Sequence, residues 1–245
     1  MQAAVPGGII AIISAPGYTE DHQVVRTLMR ELTRRQVDCR WIQSPAALEW
    51  QNREPRLAFG SRFAVSAIVR FYQAEWLAEL PRRTNWENLL PFRGASNPVI
   101  SVFPESKRFP LLWPELSGCF EVWRSVLPEC CDPQLIGDLD RDGWVLKAAY
   151  SNTGDSVIIG STVSAPVWRR ALRVARRRSS EWVAQRRFDT MSLDSVDGRV
   201  YPCIGLYVIN GKAAGAYVRL SRYQLTDGLA LEAPLFIAPD GEVCE

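Results

Sequence analysis

The sequence predicts a two-part α/β chain. A small, mostly parallel sheet with covering helices comes first, and an antiparallel sheet carrying a helix follows. Three observations lead there. Short apolar runs alternate with a helical apolar face in the first third of the chain. Asn210-Gly211 separates two long strand patterns near the end, a strong signal for a type I′ hairpin. The 245 residues are 47% hydrophobic and 23% charged, a globular composition long enough for one large domain or two small ones.

In chain order, Ile9-Ile10-Ala11-Ile12-Ile13 reads as a buried strand. Gly17 and Thr19 lead into a helix with Glu20 and Asp21 in its first turn, where acids suit the dipole. Val24, Val25, Leu28, Met29 and Leu32 form its apolar face. Cys39 to Ile42 and Ser66 to Tyr72 read as the next strands, giving a βαβ order. Pro98 to Phe103 reads as a further strand, and Glu105 to Leu116 as a helix interrupted by Pro110 and Pro114. Cys130 to Asp142 is polar and rich in turn residues, which puts a domain boundary near Asp138, between residues 1–138 and 139–245.

The last hundred residues differ in pattern. Trp144 to Tyr150 is a strand, Ser151-Asn152-Thr153-Gly154-Asp155 a turn, and Ser156 to Ile159 a returning strand. Ser164 and Pro166 start a helix that runs to about Ser179. Trp182 to Phe188 is a strand, and Val200 to Ile209 and Ala213 to Leu220 flank the hairpin turn.

Composition narrows the chemistry. A net charge of +2 gives no bulk pull toward nucleic acid or membrane. The apolar stretch from Gly7 to Ala15 is too short to span a bilayer and has no basic residue before it, so a cytoplasmic protein is expected. Six cysteines lack C-x-x-C spacing and His22 is the one histidine, which argues against a zinc site or a His-based triad. Arg169, Arg170, Arg173, Arg176, Arg177 and Arg178 make the most basic run; a solvated helix face is the preferred reading, and nucleic-acid binding is not expected.

Among 29 basic residues only Lys107, Lys147 and Lys212 are lysines. Lysine is a compact point charge suited to reaching a phosphate. Lys147 ends a strand before a loop whose Gly154 permits close approach, so the hairpin reads as a phosphate clamp or as an ordinary hairpin. Gln185 lies in a strand that can offer backbone groups to an adenine edge, or be a plain amphipathic strand. Arg219 sits in an apolar strand and calls for an anionic partner, either a carboxylate of the fold or a phosphate.

The order of these segments is informative. Ser106-Lys107-Arg108-Phe109-Pro110-Leu111-Leu112-Trp113 is followed by Val145-Leu146-Lys147 with its loop, then Trp182-Val183-Ala184-Gln185, then Gly215-Ala216-Tyr217-Val218-Arg219. This resembles the C-terminal part of the circularly permuted ATP-grasp proteins, the family that includes glutathionylspermidine synthase. The resemblance covers roughly Ala67 to Phe236, and Ile68 to Leu77 is similar to the pre-ATP-grasp region of permuted relatives. It implies a small Rossmann-like region (1–138) followed by an ATP-grasp-like antiparallel sheet with helices (139–245).

The resemblance also implies roles. Lys107 and Lys147 would hold ATP phosphates, and Ser151, Asn152, Thr153 and Gly154 would cover the nucleotide. Gln185 to Phe188 would form the adenine hinge, and Arg219 would be the catalytic arginine at the transferred phosphoryl group. The family joins a small-molecule carboxylate to an amine through an acyl-phosphate, using ATP and magnesium.

Two departures stand beside it. Ala148 replaces the proline that follows the family's first loop lysine. The R-x-D and E-x-N-x-D stretches that bind magnesium in the family have no counterpart upstream of Lys107, and the chain begins at a Pro6-Gly7-Gly8 where that stretch ends in relatives. The magnesium ligands are therefore unassigned; Glu105, Asp155, Asp227 and Glu232 are acids without a supporting spacing. The expectations are a ligase completed by a second chain carrying the acids, a truncated form, or a non-catalytic nucleotide-binding partner or regulatory module.

Overall fold

The computed structural model describes residues 7–58, 63–118, 120–137, 140–152 and 154–236. The chain forms two compact units, Met1–Glu105 and Ser106–Glu245. Among the described residues no helix is long and apolar enough to cross a membrane.

The first unit is built on β1 (Ile9–Ile13), α1 (Thr19–Arg34), β2 (Cys39–Ile42), β3 (Leu48–Gln51), β4 (Glu54–Leu57), β5 (Val65–Arg70), α2 (Ala74–Ala78), β6 (Ala95–Ser96) and α3 (Val102–Glu105). Its sheet has the order β2-β1-β5-β6 with all neighbours parallel, as the βαβ pattern predicts. Both faces of β1 are covered, which explains its unbroken apolar sequence. Ile12 meets Val25, Leu28, Met29 and Leu32 of α1. Ile9, Ala11 and Ile13 face a second cluster with Leu48, Ile68, Leu77 and Leu89. The β3–β4 hairpin is a feature sequence reasoning missed. Its turn residues Asn52 (φ 51) and Arg53 (φ 68) are both left-handed, and without a glycine they gave no turn signal.

Pro98 to Phe103 is not a strand. Asn97 turns left-handed (φ 56), Val99–Ser101 is a 3₁₀ turn, and α3 follows. The reason is Arg70, 4% exposed at the end of β5. Its guanidinium donates to the carbonyls of Asn97 (2.6 Å), Pro98 (3.4 Å) and Tyr72, to Ser101 Oγ (2.7 Å) and to Glu105 Oε1 (3.4 Å). Those carbonyls are thereby taken from any sheet ladder.

The second unit contains α4 (Glu121–Val126), β7 (Cys130–Cys131), β8 (Trp144–Ala148), β9 (Val157–Ile159), α5 (Ala165–Arg177), β10 (Trp182–Arg186), β11 (Leu193–Ser195), β12 (Gly198–Ile209), β13 (Lys212–Ser221) and β14 (Leu231–Ala233). The interrupted segment before α4 is a 3₁₀ helix, Phe109–Glu115. The boundary expected near Asp138 falls on residues outside those described, and the units separate upstream, at Glu105/Ser106. Pairing explains the shift. The Lys107 N–H donates to the Ala149 carbonyl at 2.9 Å, and β7 pairs antiparallel with β10.

The single antiparallel sheet expected here is two. One has the order β7-β10-β8-β9 and the other β11-β12-β13-β14. The irregular segment 187–192 carries the chain out of β10 and separates them. Helix α5 covers one face of the first sheet, packing Trp168, Leu172 and Ala175 on Trp144, Leu146 and Ala184. Asn210 (φ 52) and Gly211 (φ 75) make the predicted hairpin turn between β12 and β13. In α5, Arg176 turns inward to the carbonyls of Pro133 (3.4 Å) and Ile136, and just past its end Arg178 pairs with Glu181 at 2.6 Å.

Candidate functional site

Strand alternation builds one cleft in the second unit. On β8, Trp144 and Leu146 face the α5 core, so Val145 and Lys147 face the other way. Cross-strand partners share that face. Gln185 of β10 lies opposite Val145, Ile159 of β9 opposite Val145, and Val157 opposite Lys147. These five residues line a cavity of about 230 Å³. Lys107, Gly154 and the segment Gln224–Thr226 close its sides, and Arg187, Phe188 and Thr190, just beyond β10, complete the lining.

Five of the residues singled out from sequence therefore meet: Lys107, Lys147, Gly154, Gln185 and Phe188. Lys107 Nζ donates to the Ser151 carbonyl (2.7 Å) and to Ser151 Oγ (3.1 Å), tying the loop's first residue to the cleft wall. Lys147 Nζ donates to Gln185 Oε1, and Gln185 Nε2 reaches Cys130 Sγ at 3.5 Å. Burial holds the Lys147 ammonium below the usual lysine range, opposed in part by Cys130 beside it once its thiol ionises at alkaline pH. The Cys130 thiol is itself pushed up by burial, so it stays neutral and is no counter-charge at neutral pH.

Gly154 (φ 76) presses against the strap that closes the cleft. A Cβ there would sit 2.7 Å from the Thr226 carbonyl oxygen. Gly154→Val is expected to displace the loop from the strap and weaken ligand binding about tenfold or more, at a stability cost of roughly 1–3 kcal/mol. Ligand titration and a urea melt on the same variant separate the two effects.

The other sequence candidates lie elsewhere. Ser151 acts through Lys107 rather than lining the cavity. Asn152 is exposed, and its carbonyl accepts from the Asp155 N–H at 2.9 Å, closing the turn. Thr153 lies outside the described residues. Arg219 is not in the described lining. Its Nη2 donates to the Asp227 carbonyl at 2.6 Å, which anchors the end of the Gln224–Thr226 strap to β13.

Residues that sequence reasoning missed fall in two groups. Val145, Val157 and Ile159 were legible, because each follows from Lys147 by alternation or pairing. The strap Gln224–Thr226 carried no signal, and Arg187 was covered only as part of the Gln185 to Phe188 hinge, not as a charge; it is placed by its N–H to the Gly143 carbonyl (2.9 Å) and paired with Asp189 at 2.7 Å.

Electrostatically the described lining holds Lys107, Lys147 and Arg187 and no acid. The four unassigned carboxylates do not converge on it. Glu105 is held by Ser101 Oγ (2.6 Å) in the first unit, Asp227 Oδ1 accepts from the Leu229 N–H (2.9 Å), and Glu232 lies opposite Arg219 in the second sheet. Asp155 belongs to the loop turn outside the lining. Among the described residues no group of three or more His, Cys, Asp or Glu is placed to hold a metal. The cleft suits a phosphate-bearing anion with an apolar portion, and its side chains do not fit a magnesium ion, which favours carboxylate oxygens.

No protein-family model matches the chain, and no curated protein matches it. Among solved structures the chain is similar to D-alanyl-alanine synthetase A from Vibrio cholerae O1 biovar eltor str. N16961, at 11% identity and a TM-score of 0.46, over 90% of this chain and 69% of that one. A likeness this slight leaves the cleft to be read from its own residues.

Proposed function

We propose that the cleft binds an adenine nucleotide, and that the chain is the ATP-binding part of a carboxylate–amine ligase of the ATP-grasp kind, similar to glutathionylspermidine synthase and working in the cytoplasm. One observation carries the reading. Lys107, Lys147, Gly154, Gln185 and Phe188, chosen from separate sequence segments, line the same cavity. Val145, Val157, Ile159 and Phe188 offer apolar contact to a base, and Gln185 offers an amide to its edge. Lys107, Lys147 and Arg187 offer charge to the phosphates. Lys147 has the larger part, because a half-buried, desolvated ammonium with no described carboxylate beside it gains most from an arriving anion.

Displacement of a fluorescent adenine nucleotide tests this. ATP and ADP are expected to compete at least tenfold better than GTP or inorganic tripolyphosphate. Equal competition by tripolyphosphate would reduce the cleft to a site for any polyanion.

A second reading, a non-catalytic nucleotide-binding or regulatory module, is favoured by the absence of acids among the described lining residues. Turnover separates the two. A ligase releases phosphate from ATP when a carboxylate and an amine are supplied, alone or with a second chain that brings the acids, and a module binds without release.

The Lys147 environment predicts a pH dependence. Its pKa is lowered by burial in the empty cleft, and a phosphate arriving beside it would move it back upward. Between those two values the bound state holds more protons, so affinity falls as pH rises through that window, which begins below the ordinary lysine range. In Lys147→Arg the cation stays protonated and this alkaline loss is expected to disappear; calorimetric titrations across alkaline pH report it.

A further inference from the structure

A second cavity in this unit, of about 500 Å³, adjoins the cleft at β9. Strand β9 ends its sheet, and successive residues of a strand point to opposite faces, yet all three of its residues line this cavity. The cavity therefore runs along the free edge of the strand. Val163 and Val167, at the start of α5, join the lining, and Tyr201 of β12 and residues 222–225 complete it with Thr162. Val157, Ile159, Gln224 and Leu225 also line the cleft, so the two cavities share part of a wall.

The lining is aliphatic and aromatic with a single charge. Among the described lining residues that charge is Arg222, and there is no acid. Arg222 Nη1 donates to the Asp197 carbonyl at 3.3 Å, a neutral partner that leaves the guanidinium charge uncancelled. Val167 and Tyr223 are large side chains left exposed here.

An apolar concavity with one cation fits a small molecule that has an apolar body and one negative charge. One guanidinium matches one carboxylate in charge and in its two-pronged geometry. A phosphate dianion would keep a charge uncompensated against aliphatic walls. A peptide strand fits less well. The free edge is three residues long, and Thr162 Oγ1 already donates to the Ile159 carbonyl at 3.0 Å.

We infer that this cavity binds an apolar monocarboxylate, an aryl- or alkyl-alkanoate, with its body along β9 and its carboxylate on Arg222. The inference stands apart from the nucleotide reading, since neither Arg222 nor Val167 belongs to the described lining of the cleft.

Calorimetric titration of the full chain with 4-phenylbutanoate, octanoate and the neutral 4-phenylbutanamide, in the absence of nucleotide, tests it. Both carboxylates are expected to bind with a Kd below about 1 mM, and 4-phenylbutanoate roughly tenfold tighter than its amide. Arg222→Gln is expected to erase that preference with an unchanged far-ultraviolet spectrum. Val167→Trp fills the cavity from an exposed position and is expected to weaken both carboxylates about tenfold or more. No binding of either carboxylate at about 1 mM, an amide bound as tightly as the acid, or carboxylate affinities unchanged in both variants would overturn the inference.

Discussion

Lys147→Ala is expected to weaken ADP binding by about 10- to 100-fold, the value of one charge-assisted contact, roughly 1.5–3 kcal/mol. The loss should show in calorimetry as a higher Kd with the stoichiometry retained. The same variant should fold at least as well as the parent. In the empty cleft the ammonium is desolvated, with the Gln185 amide oxygen as its one hydrogen-bond acceptor among the described residues and a pKa pulled down. Removing it costs little stability, because the folded state holds that charge against a desolvation penalty. Binding lost with melting unchanged is the signature of a ligand-directed charge. Lys107→Ala differs, since Lys107 also ties Ser151 in place, and its loss should weaken binding and loosen the loop together.

The largest stability effect is expected at Arg70. Replacing it with methionine keeps much of its volume but removes the donors that hold the carbonyls of Tyr72, Asn97 and Pro98 and the side chains of Ser101 and Glu105. The bond to the Tyr72 carbonyl is buried and those to Asn97, Pro98, Ser101 and Glu105 are half-buried, where water can replace part of what is lost, so a loss of roughly 3 kcal/mol is expected. Glu75 adds to it. Its carboxyl is raised, by burial first and by Glu105 beside it; a backbone hydrogen bond opposes this most, and the Arg70 charge adds a smaller downward pull that the variant loses. A urea midpoint shifted downward at constant slope would confirm a stability effect, and an unchanged midpoint would show the network to be dispensable.

What the sequence revealed follows from which forces are local. Strands β1 and β2 match their apolar runs because side-chain period is a local property, and the Asn210-Gly211 turn matches because positive φ is a demand on those two residues themselves. Pro98 to Phe103 was misread because the deciding group, Arg70, arrives from 28 residues away. In the cleft, Lys107, Lys147, Gly154 and Gln185 were visible as unusual residues in recognisable settings. Arg219 was visible for the same reason, yet it serves the strap through Asp227, since a carbonyl partner leaves no trace in sequence. The strap itself was invisible; what selects Gln224 to Thr226 is proximity to Gly154, a contact made across more than seventy residues.

Photolabelling with 8-azido-ATP, followed by peptide mapping, tests the nucleotide cleft most directly. The label is expected on residues 182–190, which carry Gln185, Arg187 and Phe188, or on the facing residues 145–159, to be suppressed by excess ATP and to be lost in Lys147→Ala. A label concentrated in residues 7–105, or one that ATP does not displace, would contradict the assignment of the cleft as the adenine-nucleotide site.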